Sequence, residues 1–151
     1  MTTLLKSATI IDPSSPYHNQ QKDILIVNGI IDKIENSIDY KDNYKLVELD
    51  NLHVSCGWFD TSVSFGEPGF EERETIKNGL EVAAKSGFTS VAINANSNPV
   101  IDNKSAVEFL IHKANGFATN LYPIAALTQK SKGLDIAELY DMQQSGAIAF
   151  A

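Results

Sequence analysis

Asp60, Ser62 and Ser64 stand at alternate positions in the run Trp58-Phe59-Asp60-Thr61-Ser62-Val63-Ser64, and Asn96 follows in a later polar loop. In an extended strand, residues two apart point to the same side, so this spacing aims a carboxylate and two hydroxyls at one place. A neutral serine hydroxyl is a poor zinc ligand, so two of them beside one carboxylate do not make a metal site. What these residues offer is hydrogen bonding, either to a ligand held without a metal or to their own surroundings. Taken alone, Asp60 is expected to be a polar residue at a strand end and Asn96 a loop asparagine that satisfies backbone groups. Cys56 would need a nearby base to act as a nucleophile, and His53 lies close to it in what reads as extended chain, so no such pair is expected. His18 falls in a loop, His53 before the long run of α/β elements and His112 on an outer helix; none has a second ligand at a fitting spacing.

The elements that must position these residues fall into two parts. From Leu4 to Ser55 the pattern is β, with short apolar or alternating runs at Ala8–Ile11, Asp23–Val27, Ile30–Ile34 and Leu46–Leu49. Asn28-Gly29 between two β-branched runs signals a tight hairpin, and Asp12-Pro13-Ser14-Ser15-Pro16 a loop. This part is expected to form a small sheet, a meander, over residues 1–52. Beyond it strands alternate with amphipathic helices, the signature of a parallel α/β layer with crossover connections. A helix is expected over Glu71–Ser86, with acidic residues in its first turn, Ile76, Leu80, Ala83 and Ala84 inward, and Gly87 as its stop. Phe88–Ile93 reads as a buried strand. A second helix is expected from an Asp102 cap to Asn115-Gly116, with Val107, Leu110, Ile111 and Ala114 inward. Then follow a strand over Leu121–Leu127, a helix over Asp135–Gln144 closed by Ser145-Gly146, and a strand begun at Ala147–Ala151.

Four βα units over residues 53–151 are half of an eight-stranded barrel. An open half-barrel leaves strand edges unpaired, so the sequence is expected to be a fragment of a longer chain whose remainder completes the barrel.

Composition narrows the function classes. The formal net charge is -7, and the 12 Lys and Arg are scattered singly, which argues against nucleic acid or anionic membrane as partners. A single cysteine allows no intrachain disulfide and fits a reducing compartment. The start lacks the apolar run of a signal peptide, and no membrane-length apolar stretch occurs, so a cytoplasmic protein is expected.

The run from Gly57 to Glu71 resembles the first barrel strand and following loop of class I dihydroorotases, allied to the allantoinases and hydantoinases. Those enzymes read Gly-Phe-x-Asp-x-His-x-His-x-Arg-Glu-Pro-Gly here. The likeness continues through Glu74-Thr75, Gly79 and Ala83-Ala84 to Gly87-Phe88-Thr89, and again at Asn96-Ser97-Asn98-Pro99, similar to the family's Pro-Asn-Thr-x-Pro. It covers the chain from about residue 4 to the end. The resemblance implies an N-terminal β-sandwich segment followed by the first half of a TIM (β/α)8 barrel of the metallo-dependent hydrolase type. It also implies a zinc-dependent hydrolysis of cyclic amides, with water activated by the metal. In this sequence, however, Ser62 and Ser64 occupy the two metal-binding histidine positions, and Gly66 the position of the arginine that holds the substrate carboxylate. Asp60 matches the family aspartate, and Asn96 falls where family members contact substrate, although the preceding Met-Pro reads Asn94-Ala95. The family's acidic metal ligand after the fourth strand would lie beyond Ala151.

No catalytic residue and no metal are therefore expected within this stretch. The foremost expectation is a non-catalytic dihydroorotase-like protein of pyrimidine biosynthesis, a homo-oligomer serving as scaffold for aspartate transcarbamoylase, as family precedent implies. The alternatives are an active hydrolase of dihydroorotate, allantoin or a hydantoin using ligands outside this stretch, and a β-rich interaction module with no metabolic role.

Overall fold

The computed structural model describes residues 1–151, which divide into two compact units, Met1–Cys56 and Gly57–Ala151. The first unit is one five-stranded sheet of β1 (Thr2–Ile11), β2 (Gln21–Val27), β3 (Ile30–Glu35), β4 (Lys45–Val47) and β5 (His53–Ser55). Only β1, β2 and β3 run as the expected antiparallel meander; β4 and β5 both lie parallel to β1, beside different stretches of it. Since β5 pairs with β1, the first unit extends past the boundary expected near residue 52.

The length of β1 follows from an irregularity that its sequence does not advertise. The register with β2 shifts between Leu5 and Ala8, and Ser7 takes a φ of 53° there. The inserted residue switches the face of the strand, as a bulge does. Leu4 thus packs with Leu25 and Ile38, whereas Leu5, Ala8 and Ile10 gather around Ile24 in a separate cluster. At the β2–β3 turn both Asn28 (φ 50°) and Gly29 (φ 83°) are left-handed, which is the geometry that the hairpin signal requires.

The second unit runs β6 (Trp58–Val63), α1 (Ile76–Lys85), β7 (Phe88–Ile93), α2 (Lys104–Lys113), β8 (Asn120–Ala125), a 3-10 turn at Gln129–Ser131, α3 (Leu139–Gln144) and β9 (Ala149–Phe150). Its four strands are parallel and adjacent in chain order, β6-β7-β8-β9. The helices cover one face, where Ile76, Leu80, Val107, Leu110 and Met142 meet Val91, Ile93, Leu121 and Ala125 in a single core.

All three helices start later than expected. Residues 66–74 are folded as a loop, because Glu74 O accepts from Gly66 N (2.9 Å) and Glu67 N (3.2 Å). Thr75 then caps α1 by accepting from Asn78 N, so the acidic residues precede the helix instead of occupying its first turn. Ala84 lies exposed, outside the core that takes Ile76, Leu80 and Ala83. Asn103, not Asp102, caps α2, its side chain accepting from Ala106 N; Asp102 accepts instead from Lys130 N at 2.7 Å. Ile111 is 39% exposed, on the flank of α2 and outside its buried face. The third helix is the shortest because residues 128–137 make an excursion first, with a bridge between Thr128 and Ile136 and left-handed backbone at Lys130, Ser131 and Gly133.

Candidate functional site

The sequence-selected residues lie at the C-terminal ends of β6 and β7, the end at which the loops of a parallel α/β layer carry chemistry. Val63 pairs with Ile93 in parallel register, and Val63 O accepts from Asn94 N at 3.0 Å. This alignment brings two side-chain pairs together on either side of the backbone bond. Asn94 Nδ2 donates to Ser62 Oγ at 3.1 Å, and Asn96 Nδ2 donates to Ser64 Oγ; both pairs span the same 32 positions. Ser-x-Ser on one strand end thus faces Asn-x-Asn on the next, in step. Asn96 was foreseen as a loop residue and is found in this pairing. In the sequence Asn94 stands out only as a departure from the family motif, and the signal that finds it is the equal offset between the two polar pairs.

Asp60 takes no part in the two serine–asparagine side-chain pairs. The pairing of β6 with β7 is irregular between Asp60 and Val63, and Asp60 lines a small cavity against α1 with Val63, Phe65, Gly79 and Val91. Its Oδ1 accepts from Ser62 N at 3.0 Å, so the carboxylate holds the strand end. The side-by-side placement expected from alternate spacing is therefore broken by the irregularity in β6.

Gly66 sits in a turn too tight for any side chain. Phe70 N donates to Gly66 O at 2.9 Å, and a Cβ on Gly66 would lie 1.8 Å from the Phe70 carbonyl oxygen. Next to it Glu67, only 8% exposed, uses both carboxylate oxygens: Oε2 accepts from Ile76 N at 3.0 Å and Oε1 faces Lys113 Nζ at 2.7 Å. This carboxylate supplements the Thr75 cap at the start of α1, where the helix dipole favours a negative charge. Two residues on, Gly69 N donates to Glu71 Oε1, and that hydrogen bond holds the Glu71 carboxyl below the usual carboxylate range. The loop after β6 and the loop after β7 are joined by Asn98 N to Pro68 O at 2.9 Å, and a Cβ on Gly69 would lie 1.9 Å from Asn98 O. Lys113 had no local sequence signal, because its partner is distant in the chain.

Within residues 1–151 the side chains at these strand ends do not by themselves make a catalytic zinc site. The two serine hydroxyls already accept from asparagine amides, whose N–H groups are donors and cannot ligate, and the Asp60 carboxylate accepts from Ser62 N. No three His, Cys, Asp or Glu side chains come together as a metal-binding group. His18 Nδ1 accepts from Asp12 N, the His53 ring is within 2.6 Å of Asn51 O, and His112 is exposed on α2. Cys56 is exposed, with the neighbouring His53 engaged elsewhere.

Parallel strands in chain order, joined by helical crossovers and with polar residues at their C-terminal ends, have the layout of the first half of a (β/α)8 barrel. An L-hydantoinase from Arthrobacter aurescens has the same fold, with a TM-score of 0.78 over 99% of this chain and 32% of that one, at 17% identity. Residues 53–151 match the model of the dihydro-orotase-like family, and the chain belongs to that family. It is similar to the dihydroorotase of Pelotomaculum thermopropionicum, 40% identical over 100% of this chain and 35% of the relative. It is also similar to that of Syntrophus aciditrophicus, 37% identical over 100% of this chain and 36% of the relative. The chain thus spans about a third of the length of these relatives. The second unit is α/β, which differs from the β-rich architecture expected of the interaction module. No helix is long and apolar enough to cross a membrane.

Proposed function

We propose that this chain is part of a dihydroorotase-like protein of pyrimidine biosynthesis that has kept the family fold without its ring hydrolysis, and that acts as a scaffold for aspartate transcarbamoylase. The supporting observation is the pairing of Ser62 and Ser64 with Asn94 and Asn96, which occupies the strand ends with neutral hydrogen-bonding groups. A metal centre lowers the pKa of bound water by virtue of its charge and open coordination, and hydroxyls already bonded to amides are poorly suited to hold one. The protein so proposed is cytoplasmic and a homo-oligomer, and the remainder of its own barrel packs against the second unit.

Metal analysis of the purified full-length protein, run beside a dihydroorotate hydrolysis assay, tests the non-catalytic part. The expected outcome is neither bound zinc nor turnover; stoichiometric zinc with turnover would end the proposal. Ser62→His with Ser64→His is expected to raise zinc affinity. Gly66→Arg is left out of that variant because the turn at Gly66 has no space for a side chain. Light scattering of the protein mixed with aspartate transcarbamoylase tests the scaffold role, and the absence of a complex would remove it. The second reading, a working cyclic amide hydrolase with ligands outside residues 1–151, draws support from the 40% identity with a protein named dihydroorotase. Turnover in the same assay is the result that would favour it.

A further inference from the structure

The disagreement between this donor set and the family's metal goes further than a missing ligand. We infer that the ends of β6 and β7 are fastened by the two Ser–Asn side-chain bonds in place of an ion, so that the mouth of this unit is built to hold its shape without metal. The inference rests on the proposed function and deepens it, since it says what holds the strand ends together where that reading has no metal.

The two ties have the same offset of 32 positions and bracket the backbone bond from Asn94 N to Val63 O, so each supports the other's register. Beyond them the chain is closed by backbone contacts. Gly66 is folded against Phe70 and Glu74, and Pro68 O accepts from Asn98 N, so the loops of β6 and β7 stay together where they leave the sheet. Nothing in this sequence of contacts calls for a charged centre. The one carboxylate of the loop that is buried, Glu67, is neutralised by Lys113 and capped onto Ile76 N, and Asp60 takes the N–H of Ser62. Asn94 stands where the resembling motif carries a methionine, and its amide is what fills the Ser62 hydroxyl.

Hydrogen exchange of the full-length protein, followed in peptides covering residues 62–66 and 94–98 with and without a chelator, tests the inference. Chelation is expected to leave exchange unchanged. Ser62→Ala with Ser64→Ala is expected to speed exchange in both peptides about fivefold per lost tie, the factor carried by about 1 kcal/mol. Ser62→Thr with Ser64→Thr keeps both hydroxyls and is expected to restore protection. Acceleration by chelator in the unaltered protein would overturn the inference, as would an alanine variant that exchanges at the original rate or a threonine variant that fails to restore it. Turnover of dihydroorotate with chelator-insensitive exchange would end the non-catalytic proposal and leave the fastening intact, which separates the two failures.

Discussion

At Gly66 the lack of a side chain is a steric requirement, since a Cβ would lie 1.8 Å from the Phe70 carbonyl oxygen. Gly66→Ala is therefore expected to cost about 2–3 kcal/mol, the range of an overpacked site, read as a lower midpoint of denaturation. An alanine variant as stable as the parent would show that the turn yields. The charged counterpart is Asp23 in the first unit, 2% exposed and accepting from Lys6 Nζ, Ser7 N and Ile38 N. Burial alone would raise its carboxyl, but the hydrogen bond from Lys6, those from the two backbone amides and the charge of Lys6 together bring it below the ordinary value. A carboxyl held low in the folded state favours folding above its unfolded pKa of about 3.9 and loses that contribution as pH falls through the lower folded value. Asp23→Asn should cost about 2–3 kcal/mol at neutral pH, less than a fully buried pair because Lys6 still reaches solvent. The difference between parent and variant should shrink as denaturation curves are taken down to acid pH. A gap that stays constant with pH would assign the role of Asp23 to shape instead of charge. Ser62 and Ser64 were legible in sequence as a pattern; their partners were not, because a parallel register between two strands leaves no mark on either one alone.

The elements of the second unit were legible in type and order, since the period of the apolar residues survives any detail of packing. Their starts were not. A capping residue competes with its neighbours, and at Asp102-Asn103 both side chains are capable caps; the structure uses Asn103 because Asp102 is taken by Lys130 N. Thr75→Ala and Asn103→Ala are each expected to destabilise by about 1 kcal/mol through the orphaned first-turn amides. Asp102→Ala should leave α2 protected and loosen the excursion at residues 128–137, seen as faster amide exchange at Lys130. If Asp102→Ala frays α2 as much as Asn103→Ala does, the cap has been assigned to the wrong residue. The late start of α3 was the least legible feature, because the excursion before it is held by a bridge and by left-handed residues of which two, Lys130 and Ser131, are not glycine and carry no strong sequence signal.

For the molecule as a whole, the two units differ in how much core each possesses. The second has one continuous cluster that joins all three helices to the sheet, from Phe65 and Ile76 to Met142 and Ala147. The first has two small clusters, around Leu4, Leu25 and Ile38 and around Ala8, Ile10 and Ile24, with the Lys6–Asp23 pair between Leu5 and Ala8 along β1. A small sheet buries a smaller share of its surface than a larger unit does, and its local opening is correspondingly easier. Amides of β1, β2 and β3 are thus expected to exchange faster than those of β7 and β8 under native conditions. Asp23→Asn should widen that gap, because it removes a buried partner from the unit with less core to spare, while the rates in β7 and β8 provide the internal reference. If β7 and β8 exchange first, or if Asp23→Asn accelerates them as strongly as it does β1 and β2, then stability does not follow the division of the cores.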